Sequence, residues 1–266
     1  MSDKLVYQQD GHIVTLTFNM PDTRNAITDH DFAQIFVDAC TRIQRDLSVR
    51  AVILTGAGSA FSSGGNIKHM QERIGSFAGD ALEARDNYRK GIQSLILALY
   101  NLEVPVIAAV NGPAYGAGCD VVFACDIRVA SDKAVFAENF VKVGIIPGDG
   151  GSWLLPRAMG LSRACEMTFT GDPVDAATAL EWGLVSRVVA ADALMDTARA
   201  LVERIARNPP RSVRLSKRLI REGQTMRFDQ LLELAAAYQG ACHQTKDHEE
   251  AVSAIIGKRQ PNFTGQ

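Results

Sequence analysis

Residues 104–120 read VPVIAAVNGPAYGAGCD, a β-branched apolar run that leads directly into a glycine-rich turn. The same pattern occurs about fifty residues earlier, where residues 51–68 read AVILTGAGSAFSSGGNIK. Glycine turns of this kind leave backbone N–H groups bare of side chains, and at a helix N-terminus those groups are unpaired and electropositive. Because two such turns can converge on one oxygen, the sequence predicts an oxyanion site and acyl-group chemistry.

The two amides that would form this site belong to Gly65 and Ala117. Ala117 stands at the start of a predicted helix over residues 117–124, where the helix dipole gives its N–H group partial positive charge. If the Gly65 N–H faces it, a thioester or ester carbonyl between them gains two donors, each worth about 3–4 kcal/mol in the transition state. The simpler interpretation of any single glycine turn is a break between two elements.

Proton transfer also requires an acidic side chain near the site, and three acids are candidates. Asp120, in the first turn of the predicted helix, would either transfer protons or only complement the helix dipole. Asp149, between two glycines just before another predicted helix, would be its partner or an N-cap. Glu138 follows a short apolar run and is expected at an exposed edge position.

Hydrophobic periodicity predicts an α/β fold. Two β-type runs flank Asp10-Gly11, so the chain is expected to open with a hairpin. A capping-box pattern at residues 28–31 precedes apolar residues at helical spacing. Strands and helices then alternate to about residue 190, which predicts a parallel sheet with helical crossovers.

The same periodicity divides the chain into two parts. We expect an α/β core over residues 1–191 and a wholly helical region over residues 192–266, with breaks at residues 208–210 and at Gly223. Within the core, the polar stretch at residues 71–85 is expected to be a mobile flap.

Composition bounds the class of protein. The 266 residues are 47% hydrophobic and 22% charged with a formal net charge of -2, so no global attraction to nucleic acid or to an anionic membrane is expected. The five cysteines are scattered without a C-x-x-C pair, which favours a reducing compartment and indicates neither disulfides nor a metal site. The sequence shows no signal segment and no apolar run approaching the roughly twenty residues that span a bilayer. We expect a cytoplasmic protein that does not bind membranes.

Basic residues recur at steps of three and four in the helical region. They are Arg204, Arg207, Arg211, Arg214, Lys217, Arg218 and Arg221. A solvated helix face is the simplest interpretation of this basic stripe, and the alternatives are phosphate contacts to a ligand or RNA binding. No aromatic residue interleaves with the stripe, which argues against single-stranded nucleic acid as a partner.

Several segments resemble those of one known family. Residues 60–68 resemble the A-F-x-x-G-x-D-[IL] segment of the enoyl-CoA hydratase/isomerase (crotonase) superfamily, and residues 105–120 resemble its P-V-I-A-A-V-x-G-x-A-x-G-G-G-x-[ED] segment. Further similarity is found at residues 125–130, 144–156, 170–172, 181–185 and 258–263. The resemblance covers nearly the whole chain.

This resemblance implies a fold and an assembly. The fold would be a crotonase-type spiral of ββα turns with a C-terminal helical trimerisation region. The assembly would be a homotrimer, or a hexamer built as a dimer of trimers.

The resemblance also implies a ligand, an acyl-CoA thioester, whose thioester oxygen would be bound by the Gly65 and Ala117 amides. Arg24 would approach the phosphates of coenzyme A. The remaining expected contacts to coenzyme A are those of Ala26, Ser63, Asn66 and Ile67. Lys258 and Phe263 match positions that can close over coenzyme A bound to a neighbouring subunit. No metal and no redox cofactor is expected, because coenzyme A is carried as part of the substrate.

Departures from the family pattern bear on the reaction. Family hydratases use two glutamates, and their positions fall on Asp120 and Phe140, so the second carboxylate is missing. Asp149 lies in a turn where several family isomerases carry an aspartate. We therefore expect double-bond isomerisation, with Asp120 and Asp149 moving protons through a thioester enolate, in preference to hydration. The alternatives are a true 2-enoyl-CoA hydratase that uses Asp120 with another acid, and a non-catalytic protein that binds RNA or a protein partner.

Overall fold

The computed structural model describes residues 3–266. Its strands are β1 (Leu5–Asp10), β2 (Ile13–Phe18), β3 (Ala51–Gly56), β4 (Val106–Val110), β5 (Ala114–Tyr115), β6 (Ile127–Ser131), β7 (Val135–Ala137), β8 (Val174–Asp175) and β9 (Arg187–Val189). Its α-helices are α1 (His30–Arg45), α2 (Ile67–Glu72), α3 (Ala81–Lys90), α4 (Ile92–Tyr100), α5 (Ala117–Ala124), α6 (Gly151–Met159), α7 (Leu161–Thr170), α8 (Ala176–Glu181), α9 (Leu194–Ala206), α10 (Pro210–Glu222), α11 (Phe228–His243) and α12 (Lys246–Ile256).

The larger sheet is six-stranded, with the order β1-β2-β3-β4-β6-β9. The β1–β2 pair is antiparallel and closes at Asp10 and Ile13, so the predicted hairpin is confirmed. Every other neighbouring pair in this sheet is parallel, as the alternation of strands and helices predicted. All five residues of β4 are buried, which fits a central parallel strand covered on both faces.

The two faces of this sheet are covered by different parts of the chain. On one face a large core forms, in which the rings of Phe18 and Phe32 meet edge to face at 5.6 Å. On the other face, Leu194, Ala198 and Val202 of α9 pack against strand residues. The C-terminal helical region therefore begins by completing the sheet's second hydrophobic layer.

The smaller sheet is three-stranded, with the order β5-β7-β8. β5 pairs with β7 in parallel, and the backbone N–H of Gly116 donates to the carbonyl oxygen of Ala137 at 2.8 Å. This pairing brings the residue that follows β7, Glu138, beside the turn that precedes α5.

One local prediction at a helix start needs correction. Asp29 is the N-cap of α1, but its side chain makes no capping hydrogen bond, so the capping box predicted at residues 28–31 is wrong. A capping box is instead present at α3, where Asp80 and Glu83 bond each other's backbone N–H groups. The polar stretch predicted as a flap thus contains the end of α2, a short 3-10 helix and half of α3.

The helical C-terminal region breaks where the sequence indicated. α9 ends at Ala206, α10 begins at Pro210, and α10 ends one residue before Gly223. Exposed apolar side chains remain on the last two helices, among them Phe228, Leu232 and Ile255. Within residues 3–266, none of the helices combines the length and the apolar character needed to cross a bilayer.

Three of the seven residues of the basic stripe dock on the core, while Arg204, Arg207, Arg211 and Arg218 are exposed. Arg214 and Lys217 are buried and donate hydrogen bonds to the carbonyl oxygens of Val49 and Val104, at 3.0 and 2.9 Å. Asp126 binds Lys217 at 2.6 Å and Arg221 at 2.7 Å. The solvated-face interpretation is therefore wrong for these three residues, because their cationic side chains donate hydrogen bonds to carbonyl and carboxylate oxygens of the core.

Candidate active site

The two glycine-rich turns lie against each other. The backbone N–H of Tyr115 donates to the carbonyl oxygen of Ser62 at 3.0 Å, and the same two segments form an isolated parallel bridge. A methyl group added to Gly64 would overlap the carbonyl oxygen of Tyr115 and would lie 3.0 Å from the amide nitrogen of Ala117. Only glycine fits here, and its φ of +76° is itself a conformation that favours glycine.

The predicted oxyanion amides are both available. In residues 3–266, neither the N–H of Gly65 nor that of Ala117 donates a hydrogen bond to another group. Ala117 is the first residue of α5, so its N–H is one of the orphan donors of the helix N-terminus. A bound carbonyl oxygen would satisfy both groups.

Two buried polar residues that sequence reasoning missed hold the first turn in place. Asn25 accepts a hydrogen bond from the Met20 N–H and donates to the carbonyl oxygens of Ala57 and Ala60, each at 2.9 Å. Ser62 donates through Oγ to the Asn25 carbonyl oxygen at 2.7 Å. Asn25 has a φ of +58°, which asparagine tolerates. The acceptors of its side chain are more than thirty residues away, so no local sequence pattern predicts its role.

A cleft of about 550 Å³ opens beside the two amides. Its lining includes all seven residues expected to contact the acyl-CoA in the subunit's own site: Arg24, Ala26, Ser63, Gly65, Asn66, Ile67 and Ala117. Lys258 and Phe263 lie outside this cleft in the single chain, and the Phe263 carbonyl oxygen accepts a hydrogen bond from Arg50. A larger cavity of about 680 Å³ between α10 and α6 contains neither free amide, so the smaller cleft is the candidate site.

Asn66, at the rim of the cleft, also caps a helix. Its side-chain oxygen accepts hydrogen bonds from the N–H groups of Lys68 and His69, which makes it the N-cap of α2. The residue that replaces the family's aspartate therefore also fixes where α2 begins.

Three acids that are close in sequence to residues of the cleft are buried and do not line it, and they come from three separate elements. Asp120 is in α5, Glu138 follows β7, and Asp149 precedes α6. Their residues are 0%, 0% and 3% exposed. The expectation that Glu138 would lie at an exposed edge is wrong, because the β5–β7 pairing turns it into the core.

Gly151 shows how close two of these acids are. A methyl group on Gly151 would overlap both Oε1 of Glu138 and Oδ1 of Asp120. In the described part of the chain, the groups placed to hydrogen-bond this pair are the backbone N–H of Gly151, which faces Asp120, and the two carboxyl groups themselves. Their oxygens have no other partner, and Oδ1 of Asp149 has none. Such groups are costly to bury as anions.

The environment favours the protonated forms of these acids. Burial, and then the charges of Glu138 and Asp149, raise the pKa of Asp120 well above its ordinary value. Burial raises the pKa of Glu138 to about 8 and that of Asp149 to about 7. Acids with pKa values near neutrality are suited to giving and taking protons at physiological pH.

Phe140 contributes an apolar wall to the cleft. It is buried, and its ring lies 3.5 Å from where a methyl group on Gly116 would be. The same point beside Gly116 is 3.4 Å from the side-chain oxygen of Asn139, so an aromatic ring and an amide side chain meet on this side of the cleft. Within residues 3–266, no group of histidine, cysteine, aspartate and glutamate side chains is arranged to hold a metal ion.

Comparison with known proteins agrees with the fold. The sequence profile of the enoyl-CoA hydratase/isomerase family matches residues 8–266. The 1,2-epoxyphenylacetyl-CoA isomerase of Escherichia coli is 36% identical over 254 residues, which covers 96% of this chain and 95% of that protein. The short-chain-enoyl-CoA hydratase of Clostridium acetobutylicum is 36% identical over 259 residues, which covers 97% of this chain and 96% of that protein.

Solved structures extend the similarity to three dimensions. The crystal structure of an enoyl-CoA hydratase from Bacillus anthracis superposes with a TM-score of 0.92 at 31% identity, covering 99% of this chain and 100% of that one. The predicted fold class, a crotonase-type α/β fold with a helical C-terminal region, is thereby confirmed.

Proposed function

This chain belongs to the enoyl-CoA hydratase/isomerase family, and we propose that it isomerises the double bond of an enoyl-CoA through a thioester enolate. The observation that carries this proposal is the pair of unpartnered amides, Gly65 and Ala117, in one cleft close to buried acids with near-neutral pKa values. Donors fixed in place before the reaction stabilise developing negative charge without reorganisation, which is a large catalytic effect.

The proposed reaction moves one proton between two carbons. Ionised Asp120 takes a proton from the carbon next to the thioester, and the electron pair of that C–H bond moves onto the thioester oxygen, where the Gly65 and Ala117 amides hold it. Protonated Asp149 then gives its proton to the γ carbon, and the double bond shifts. The cycle closes when Asp120 loses the acquired proton and Asp149 regains one.

Phe140 supports isomerisation over hydration. Hydration needs a water molecule held and activated beside the double bond, usually between two carboxyl groups. By the resemblance to the family pattern, Phe140 would stand where hydratases carry the second of these groups, and its ring is buried. An aromatic wall there would shield the dienolate from water while protons move within the buried acids.

We propose that coenzyme A binds as part of the substrate along the same cleft. Arg24 would approach its phosphates, while Ala26, Ser63, Asn66 and Ile67 line the path. Lys258 and Phe263 would act on the site of a neighbouring copy in a trimer or in a hexamer of two trimers. The exposed apolar side chains of α11 and α12, such as Leu232 and Ile255, support such an assembly.

The deciding experiment is a panel of 2-enoyl- and 3-enoyl-CoA thioesters of different chain lengths, incubated with the protein in oxygen-labelled water. Isomerisation gives a product of unchanged mass with no solvent oxygen. Incorporation of labelled oxygen as the main outcome would instead identify a hydratase. Absence of turnover across the panel would contradict both activities.

Hydration is the second candidate function. Relatives at similar identity are named hydratases, and Glu138 supplies a second carboxyl group beside Asp120. The two carboxyl groups meet over Gly151 rather than facing each other across a gap. The labelling experiment tests whether a water molecule can be activated there.

The non-catalytic alternative has less support. It relied on the basic stripe as a surface for RNA, whereas Arg214, Lys217 and Arg221 donate to the protein's own core.

A further inference from the structure

Glu138 is the one acid of the three for which neither the sequence pattern nor the proposed reaction supplies a role. It follows β7, has a φ of −95° and precedes a 3-10 helix over Asn139–Val143. It is fully buried, and apart from the carboxyl group of Asp120 neither of its carboxyl oxygens has a hydrogen-bond partner in residues 3–266. Burying a carboxyl group without a hydrogen bond costs free energy, so a hydrogen-bond partner that involves a proton is expected here.

A proton between Glu138 and Asp120 would be that partner. Two carboxylates can only accept hydrogen bonds, so as anions neither can satisfy the other. Their oxygens nevertheless converge over Gly151, where any side chain would overlap both. One proton converts one of the two groups into a donor, which pairs both groups and removes the repulsion between like charges.

In the described part of the chain, no cation compensates the charge of the pair. No lysine, arginine or histidine of residues 3–266 forms an ion pair with Asp120, Glu138 or Asp149. The neighbouring titratable groups are Cys119 on α5, whose thiol pKa is raised by burial and by the charges of Glu138 and Asp120, and Tyr88 on α3, whose pKa is raised by burial and by Asp149. All of these are neutral or negative. Apart from the backbone N–H of Gly151, which favours the anion of Asp120, a proton is therefore the compensation available to the pair.

The helix indicates which carboxyl group keeps the negative charge. Asp120 lies in the first turn of α5, where the helix dipole stabilises an anion, while Glu138 follows a strand. We propose that Glu138 is a positioning residue for Asp120: its protonated carboxyl group donates a hydrogen bond to the Asp120 carboxylate and so keeps Asp120 ionised as the base. This inference rests on the proposed role of Asp120.

The proton count of the reaction is consistent with this arrangement. The resting pair carries one proton, on Glu138. When Asp120 takes the substrate proton, the pair carries two and is neutral, and the negative charge has moved to the thioester oxygen between the two amides. Release of the acquired proton restores the resting pair, and Glu138 keeps its own proton throughout.

Two substitutions separate this role from simple packing. Glu138→Gln keeps the size and a hydrogen-bond donor but cannot titrate, whereas Glu138→Met keeps the bulk and removes the donor. We expect Glu138→Gln to retain kcat/KM within about tenfold at neutral pH and to lose the decline that the wild type shows above its upper pKa. Glu138→Met should lose more than about tenfold at neutral pH, with its acidic limb displaced to higher pH because Asp120 ionises less readily. Profiles of the two variants that superimpose after scaling would overturn the proposal.

A second measurement does not depend on turnover. Infrared difference spectra recorded during a pH titration should show the carbonyl stretch of a protonated carboxyl group at neutral pH in the wild type. In Glu138→Gln that band should lose the component with the higher midpoint and keep only the component of Asp149, whose pKa is about 7. In Asp120→Asn the Glu138 component should persist with a lower midpoint, since the neighbouring charge is gone. The exposed Glu181→Gln substitution is the control and should leave the band unchanged.

The two experiments fail in different ways. A wild-type protein without enoyl-CoA turnover but with the shared-proton band would contradict the proposed function and leave the Glu138–Asp120 pair standing. An unchanged band in Glu138→Gln would overturn the pair, whatever the activity.

Discussion

Gly64 and Ala117 belong to different turns, yet a methyl group added to Gly64 would lie 3.0 Å from the amide nitrogen of Ala117. This approach sets the separation between the two free amides of the cleft. The geometry of the proposed oxyanion site therefore depends on the absence of a side chain at Gly64, whose own N–H donates to Oγ of Ser62 and not into the cleft.

We expect Gly64→Ala to lower kcat by at least about a hundredfold, because the added methyl group pushes the two turns apart and misaligns both donors. The matched control is Gly11→Ala, whose φ of +56° imposes similar backbone strain but whose methyl group would meet no atom within 4 Å. The measurement is steady-state kinetics on the best enoyl-CoA, with stability recorded for both variants. Equal losses of activity in the two would show that strain, and not the amide geometry, is responsible.

Asp120→Asn should lower kcat by at least about a hundredfold, since an amide cannot accept the substrate proton. Its KM should change much less, because coenzyme A contacts lie elsewhere in the cleft. Asp172→Asn, which alters an exposed ion pair with Lys142, is the control and should retain full activity. Full activity in Asp120→Asn would exclude this residue as the base.

The buried acids predict a pH dependence of stability. Glu138 has a pKa raised from 4.5 to about 8 in the folded chain, so the folded state binds its proton more tightly than the unfolded state does. Its contribution is therefore fully present below the unfolded pKa and is lost as pH rises through the folded pKa. Relative to the wild type, Glu138→Gln should gain at least about 1 kcal/mol of unfolding free energy on going from acidic to mildly alkaline pH.

Urea unfolding of the two proteins side by side at several pH values measures that difference, and common effects of other groups cancel. Asp149→Asn should show the same trend with a lower midpoint, since the pKa of Asp149 is raised only to about 7. A difference that is constant with pH would contradict these protonation states.

The attachment of α10 to the core predicts a large difference between two adjacent residues. Lys217→Ala removes a buried donor to Asp126 and to the Val104 carbonyl oxygen, and it should cost about 3 kcal/mol of stability. Arg218→Ala removes an exposed pair with Glu222 and a cation–π contact with Tyr238, and should cost about 1 kcal/mol or less. Denaturant unfolding at neutral pH checks both, and similar costs would mean that the burial of Lys217 adds nothing.

The features that could be predicted from the sequence are those that local pattern determines. The hairpin around Gly11, the parallel strands and the helix that starts at Ala117 follow from periodicity and turn chemistry over short windows. Glu138 could not be placed in the same way, because its burial depends on the pairing of β5 with β7 and on the lack of a side chain at Gly151. The basic stripe was misjudged for a related reason. Helical spacing identifies a common face, but not whether that face meets water or the carbonyl groups of a core.

The contact between Lys217 and Asp126 also bears on how such a chain can be divided. The sequence predicts a boundary between the two parts of the chain at residue 191. The residues beyond it nevertheless supply the second hydrophobic layer of the sheet and the cations that neutralise Asp126. A chimera that takes residues 1–191 from this protein and the remainder from a relative would inherit a mismatched set of buried partners. Recombination between relatives would therefore succeed most readily where Asp126 and α10 are exchanged together.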